Sequence, residues 1–288
     1  MIPDWILAWV AVPAVFTLMF HLGMIVAPGE YRLAWRKPGL MLKGLFASLV
    51  AVPMLVVVVA RAFDLPRPVE IGMVLMAISP GAPVALRRAL SAGGDHTFAP
   101  ALQVAVATLA VVSMPLSIAA FDEVYAGRAA VEPAQLARQL FFAQLLPLAL
   151  GMGARRFFGA RLASFEPFVG RLATALLAIF VALAFLDVWR AVAGAGGRGA
   201  LAMACANLAA LACGHLLGGP SAETRTALGV ACTARNAGLA MLVASVNNAA
   251  PAIKATLIAY LVVSALVATP YVFWRRRIGA APPKARAP

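Results

Sequence analysis

The chain has 288 residues, of which 63% are hydrophobic and 12% are charged, and its formal net charge is +13. This apolar excess lies outside the range of soluble globular domains and excludes a soluble enzyme as the whole of the molecule. A membrane-spanning helix needs roughly 20 apolar residues, and the chain is built from stretches of that length.

Nine apolar stretches follow one another along the chain. They cover residues 5–26, 40–61, 71–92, 98–121, 135–154, 168–189, 199–218, 226–246 and 250–273. No remaining region is long enough for a soluble domain. The sequence therefore predicts an all-α integral membrane protein with about nine transmembrane helices, in one unit over residues 1–277. Residues 278–288, rich in Ala and Pro, are predicted to form a disordered cytosolic tail.

The third and eighth spans are interrupted. The first break is Ser79–Pro83, with the sequence SPGAP, and the second is Thr233–Gly238, with the sequence TARNAG. A helix interrupted in hydrocarbon exposes backbone groups that protein or a water-filled cavity must satisfy. A pair of such helices at matching places of two halves indicates the binding site of a secondary transporter.

The two halves are predicted to form an inverted repeat. The fifth span would separate spans 1–4 from spans 6–9. The third span is then the counterpart of the eighth, and these two are the interrupted spans. The first span then starts outside and the sixth inside, so the two sets run in opposite directions, as in many secondary carriers. This prediction rests on topology and on the placement of the breaks.

Basic residues are concentrated on one side of the predicted bundle. That side carries Arg32, Arg36, Lys37, Arg155, Arg156, Arg161, Arg275, Arg276, Arg277, Lys284 and Arg286. The positive-inside rule makes it cytoplasmic, with the N-terminus outside and the C-terminus inside. The charge thus indicates topology and not a nucleic-acid surface. High Ala, Arg and Gly content favours a bacterial chain, and hence the inner membrane.

The sequence contains no motif that predicts a metal site or a redox site. Cys205, Cys213 and Cys232 lie within spans, form no CxxC motif and are interpreted as packing residues. No metal ligand cluster and no cofactor motif is visible. The expected partners are the lipid bilayer and a small solute.

Several short motifs resemble the bile acid:sodium symporter family. His21–Met24, Arg36-Lys37-Pro38 and Asp64-Leu65-Pro66 precede the first break, where Ser79-Pro80-Gly81 is similar to the family's Cys-Pro-Gly-Gly signature. In the second half, RNAGLA, starting at Arg235, resembles Gln-Asn-Ser-Gly-Leu-Ala. The resemblance implies a core domain (spans 2–4 and 7–9) beside a panel domain (spans 1, 5 and 6). The two interrupted helices would cross near mid-membrane, with the substrate between core and panel.

The resemblance fails at the family's sodium ligands. A Ser-Asn pair after the first break matches Ala85 and Leu86, and a Ser and a Thr of span four match Ala99 and Gln103. The glutamate of the second interrupted helix matches Ala231. Oxygen-ligated cations take about six ligands. Ordinary coupling to two sodium ions is therefore not expected.

Arg235 replaces a family Gln, next to a retained Asn236. A charged side chain at mid-span costs at least about 2.5 kcal/mol. Two interpretations follow. In one, the guanidinium occupies the vacated cation region as a fixed charge, holds the crossing together and attracts an anionic substrate. In the other, it only satisfies carbonyls freed in the broken helices.

Other polar residues have competing interpretations. Arg87 and Arg88 either snorkel to the interface or attract an anion at the inward mouth. His21 and His215 are candidate proton sites, with packing as the alternative. Ser79, Gly81, Pro83, Gln103, Thr233, Arg235 and Asn236 are the predicted substrate-binding residues.

Three function classes remain at this stage. The leading one is a carrier of a small organic anion working by alternating access, coupled to protons, uncoupled, or acting as an exchanger. A second is a binding or regulatory protein that retains the fold without transport. A membrane-embedded lipid or prenyl transferase is disfavoured, because the spans contain almost no Asp or Glu to hold a metal-bound diphosphate.

Overall fold

The computed structural model describes residues 4–26, 37–124, 132–194 and 196–279, and these ranges contain helices and connecting turns without any strand. The helices are α1 (Asp4–Ile25), α2 (Pro38–Ala62), α3 (Arg67–Ala77), α4 (Pro83–Ser91), α5 (Phe98–Val124), α6 (residues 133–163), α7 (Glu166–Gly194), α8 (Gly196–Leu217), α9 (Ala222–Thr233), α10 (Ala237–Val246) and α11 (Pro251–Gly279). The prediction of an all-α membrane protein is confirmed.

Within the described residues, seven segments are long and apolar enough to cross a membrane: α2, α5, α6, α7, α8, the α9–α10 stretch and α11. The described apolar part of α1, Trp9–Ile25, is shorter than the roughly 20 residues that cross the hydrocarbon. Helices α3 and α4 have 11 and 9 residues. The count of nine spans therefore stays a prediction.

The ends of the predicted segments differ in detail. The first break comprises residues 78–82, as predicted to within a residue, whereas the second is only 234–236, because α9 continues to Thr233 and α10 starts at Ala237. Helix α11 continues to Gly279, two residues into the predicted tail. The rest of the tail and the loop with Arg32 and Arg36 lie outside the described residues.

Helices α2 and α6 each contain one wide π turn, at Ala47–Ala51 and at Phe141–Leu145. In both, a proline (Pro53 or Pro147) stands two residues after the turn. The N–H of Val52 donates to the carbonyl of Ala47, five residues back, and Pro53 has no N–H. The Ser48 carbonyl is thereby left without a donor from its own helix, and π turns of this kind occur often at functional sites.

Helix α1 packs against α6 and α7. Its contact with α6 is a close approach of two backbones at Gly23 and Gly151: a side chain on Gly23 would collide with the Leu148 carbonyl, and one on Gly151 with the Phe20 carbonyl. Small residues allow this kind of packing in membranes, where dispersion contacts replace the hydrophobic effect between helices.

The interrupted α9–α10 stretch lies at the centre of the molecule. It is 89% buried inside the protein, whereas the apolar part of α7 is 17% buried and faces outward. Helix α9 packs against α4, and α10 packs against α3, α1 and α11. The two interrupted helices are therefore in contact on both sides of their breaks.

Candidate functional site

The first break is made by the backbone. Gly81 has φ +83°, a conformation that side chains rarely adopt, and a Cβ there would stand 3.2 Å from the Cα of Ala107 on α5. Pro83 occupies the first turn of α4, where a missing N–H costs nothing. Glycine and proline thus stop α3 and restart the chain as α4, with α5 packed directly behind the turn.

The second break is held by side chains. Ala234 is extended and ends α9, without any glycine or proline between Thr233 and Asn236. The side-chain oxygen of Asn236 accepts the N–H of Leu239 at 3.1 Å and caps α10. An N-cap of this type stabilises a helix by about 1 kcal/mol. Asn236 therefore restarts the helix that Ala234 ends.

Asn236 also joins the two breaks. Its backbone N–H donates to the carbonyl of Ser79 at 2.9 Å, and its side-chain amide donates to the carbonyl of Gly81 at 3.4 Å. Each carbonyl lies in the first break and has lost its helical partner. The contact satisfies backbone groups that the interruptions would otherwise leave unpaired in the membrane.

A cavity of about 470 Å³ lies beside this contact. Its walls are α1, α4, α7, α11 and residues of both breaks, and they include Leu18, Pro83, Arg88, Leu177, Asn236, Gly238, Ser264 and Thr269. The volume is in the range of small-molecule sites, about 300–1,000 Å³. The wall is mostly apolar, and no Asp or Glu is among the described residues that line it.

Two helix N-termini end at the cavity wall. Residues 82–84 at the start of α4 and residues 236–238 at the start of α10 both line it. Several first-turn N–H groups already have acceptors, and Pro83 has no N–H, but the helix dipole is positive at this end. Together with Arg88, which is half-buried on the same wall, they make the cavity a positively polarised site.

Arg235 precedes Asn236 in the second break and is only 4% exposed. Its Nη1 donates to the Ser48 carbonyl at 2.9 Å, the carbonyl that the π turn of α2 leaves free. Its Nε and Nη2 have no hydrogen-bond partner in the described part of the chain. No described carboxylate is within 4 Å of it, since the ion pairs found there involve other residues.

This geometry bears on both interpretations of Arg235. The carbonyl that it satisfies belongs to α2 and not to a broken helix. Arg235 is on the cavity wall, but its Nε and Nη2 are buried and its Nη1 is bonded to the Ser48 carbonyl, so its charge acts on a solute there through its field.

The adjacent arginines of α4 have different surroundings. Arg88 lines the cavity, whereas Arg87 turns toward α1 and α7. Arg87 donates to Thr174 Oγ1 at 3.2 Å, to His21 Nδ1 at 3.3 Å and to the Gly170 carbonyl at 3.4 Å. Of the pair, Arg88 is thus the one placed to meet a solute.

The two candidate proton sites are also in different settings. His21 is 2% exposed, and its Nε2 is 2.6 Å from Glu166 Oε1 at the start of α7. His215 Nδ1 is 2.8 Å from the hydroxyl of Tyr271, in the packing of α8 against α11. Neither ring lines the cavity.

Four predicted substrate-binding residues do not line the cavity. Ser79 is fully buried and donates to the Leu75 carbonyl at 2.7 Å, and Thr233 donates to the Gly229 carbonyl at 2.9 Å. Gln103 is buried on α5, and Gly81 reaches the site only through Asn236. Pro83, Arg88, Arg235 and Asn236 are on its wall.

Sequence reasoning missed the contributions of α1, α7 and α11. Ser264 and Thr269 on α11 line the cavity, and hydroxyl side chains within an apolar span were a usable signal. Leu18 and Leu177 gave no such signal, because apolar residues of a cavity wall cannot be distinguished in sequence from lipid-facing residues. No group of three or more His, Cys, Asp or Glu suited to a metal ion occurs among the described residues.

Comparison with known proteins places this fold. The sequence model of the Sodium Bile acid symporter family matches residues 12–194, which include the larger part of α1 and the first break. A probable sodium/metabolite cotransporter of the chloroplast from Oryza sativa subsp. japonica is 26% identical over 268 residues, 90% of this chain. The chain spans 62% of that relative's length. The family match covers well over half of the chain, which therefore belongs to the sodium bile acid symporter family of membrane transporters.

Proposed function

We propose that this protein is a secondary carrier of a small organic anion that works by alternating access without ordinary coupling to two sodium ions. The observation that carries the proposal is the cavity: two helix N-termini and Arg88 line it, and none of the described residues on its wall is acidic. An anionic group is the solute charge that this wall favours.

The magnitudes are sufficient for selective binding. A helix N-terminus contributes roughly 0.3–1 kcal/mol toward an anion, and up to about 2 kcal/mol when partly buried. A hydrogen bond to a charged group contributes about 1.5–3 kcal/mol. The apolar remainder of the wall suits a hydrocarbon body. Steroid acids, sulfated conjugates, keto acids and pantoate-like acids all combine these two features.

Arg235 is the basis for proposing a carrier without two-sodium coupling. Its buried guanidinium has no described carboxylate beside it. A cation about 4 Å away would be repelled by about 4 kcal/mol at an effective dielectric constant of 20. Sodium appears in the names of the family and of the rice relative, and we propose that this chain departs from them. Proton coupling, uniport and exchange remain the alternatives.

The helix packing suggests which helices move together during transport. We assign α1, α6 and α7 to a panel, because α1 packs against the other two, and the remaining helices to a core that moves against it. The cavity between them would alternate between the two sides. The proposal retains nine spans, an inverted repeat, an inner-membrane location, and an outside N-terminus opposite a cytoplasmic C-terminus.

The first test is uptake into proteoliposomes of radiolabelled cholate, pyruvate and pantoate, one from each of three acid classes. For any solute carried, Arg88→Gln should raise KM roughly tenfold to hundredfold, as expected for a lost charged hydrogen bond. The matched control is Arg171→Gln on α7, an exposed arginine bonded to the Pro167 carbonyl, which should leave KM unchanged. A normal KM in Arg88→Gln would refute this recognition mode. Protein that binds an acid but carries none would favour the non-transporting alternative.

The second test addresses sodium. The melting temperature of detergent-purified protein is compared in NaCl, KCl and choline chloride at equal ionic strength. A bound ion at 100 times its dissociation constant would stabilise the protein by about 2.7 kcal/mol. We expect equal melting temperatures in the three salts. A rise specific to NaCl would reinstate sodium symport.

A further inference from the structure

A polar cluster joins three helices at the side of the cavity. Arg87 on α4, His21 on α1 and Glu166 on α7 form a chain, with His21 between the other two. His21 is one turn beyond Leu18, and Arg87 adjoins Arg88, both of which line the cavity. The cluster therefore bridges α4 to α1 and α7 beside the cavity.

The two contacts of His21 match one tautomer of the neutral ring. Arginine has donors only, so the contact of 3.3 Å between Arg87 Nη2 and His21 Nδ1 requires an unprotonated Nδ1. The Nε2 then carries the proton and donates to Glu166 at 2.6 Å. With this tautomer the ring is neutral, and the charges of Arg87 and Glu166 cancel across it.

Gly170 on α7 makes room for this arrangement. A Cβ at that position would stand 2.7 Å from His21 Nε2 and 2.8 Å from Arg87 Nη2, and the Gly170 carbonyl accepts a bond from Arg87. Any larger residue would push the two side chains apart. The close packing of ring, guanidinium and backbone is thus specific to glycine.

We propose that His21 binds a proton and that the cluster of Arg87, His21 and Glu166 is a proton-controlled gate between α4 and the α1–α7 pair. When Nδ1 takes a proton from water, it becomes a donor facing a donor, so the Arg87 bond is lost. The cluster changes from neutral to a net charge of +1, which repels Arg87 while the pair of His21 and Glu166 becomes ionic. This inference rests on the proposed function, in which the core moves against the panel.

Apart from Glu166, the described charged side chains around His21 are arginines. Toward α1, helix α6 presents Arg155, bonded to the Met24 carbonyl, and α4 presents Arg87 and Arg88. Helix α10 carries no ionisable side chain. Arginine stays protonated throughout the accessible pH range. Among these ionisable groups, histidine is the residue type whose ordinary titration range lies near neutrality.

Thermodynamic linkage between proton binding and helix separation would allow this gate to couple solute transport to protons. If protonation favours separation of α4 from α1 and α7, then separation must equally favour proton binding. A carrier that changes proton affinity as its core moves can couple solute movement to a proton gradient. His215, bonded to Tyr271 between α8 and α11, has no such position and serves as the matched control.

The test measures the gate without any solute. Cys205, Cys213 and Cys232 are replaced by alanine, and spin labels are attached at two exposed positions, His96→Cys after α4 and Arg171→Cys on α7. Electron-spin distance measurements in proteoliposomes at about pH 7.5 and about pH 5.5 bracket the ordinary histidine range. We expect the population at longer distance to rise about fivefold or more at the lower pH.

The variants separate the gate from a structural role. His215→Gln should keep the response, and His21→Gln should abolish it. Gly170→Ala should populate the longer distance at both pH values, because it displaces the ring and the guanidinium. Unchanged distances in the unsubstituted cluster, or a response that persists in His21→Gln, would overturn the proposal. A pH-dependent gate in protein that carries none of the acids would instead refute the proposed function alone.

Discussion

The two breaks perform the same task by different means. The first depends on covalent structure: prolines remove N–H groups, and Gly81 adopts a left-handed conformation against α5. The second contains neither residue and depends on contacts, through Asn236 to the first break and through Arg235 to α2. The first break is thus encoded locally. The second exists only because its neighbours are in place.

The largest expected effect is at the first break. Gly81→Val puts a branched side chain at φ +83° and 3.2 Å from Ala107, so strain and overpacking should destabilise the protein by about 3 kcal/mol or more. The measurement is the free energy of unfolding in detergent. Gly153→Ala on α6 is the control, because no atom lies within 4 Å of the added methyl. Equal stability of the two variants would show that the first break is not encoded by its backbone.

A double-mutant cycle tests how the second break is held. Arg235→Met leaves the Ser48 carbonyl unpaired, which costs about 1–3 kcal/mol. Pro53→Ala restores an N–H to α2, so that in this background the same change should cost less, with a coupling of about 0.5–3 kcal/mol. Loss of the buried charge is common to both backgrounds and cancels. A coupling of zero would mean that the π turn and Arg235 are independent.

The smallest effect belongs to the cap. Asn236→Ala removes the acceptor for Leu239 and the donor to Gly81, and should destabilise the protein by about 1 kcal/mol. Thr233→Val removes only a bond within α9 and should stay within about 0.5 kcal/mol. Thermal melts of both variants at one pH provide the comparison. A larger loss for Thr233→Val would place the weak point in α9 instead of at the crossing.

The different encodings explain what could be predicted from the sequence. The helical class and the first break were predictable, because hydropathy, glycine and proline act locally. The second break was signalled by the polar pair Arg235-Asn236 within an apolar span. The direction of the Arg235 side chain could not be predicted, because its hydrogen-bond acceptor is a free carbonyl 187 residues earlier in the chain. The same holds for His21, whose partner Glu166 is 145 residues away. Cavity walls formed by leucines of α1 and α7 gave no signal above that of ordinary membrane helices.

The glycine contact between α1 and α6 has a consequence for synthesis of the chain in the cell. Gly23 is made more than a hundred residues before Gly151, which corresponds to a delay on the order of ten seconds at ordinary translation rates. Throughout that interval, α1 lacks the partner whose backbone it contacts. The first helix must therefore wait in the lipid or beside the insertion machinery, and the panel can assemble only after α2 to α5 have left the ribosome.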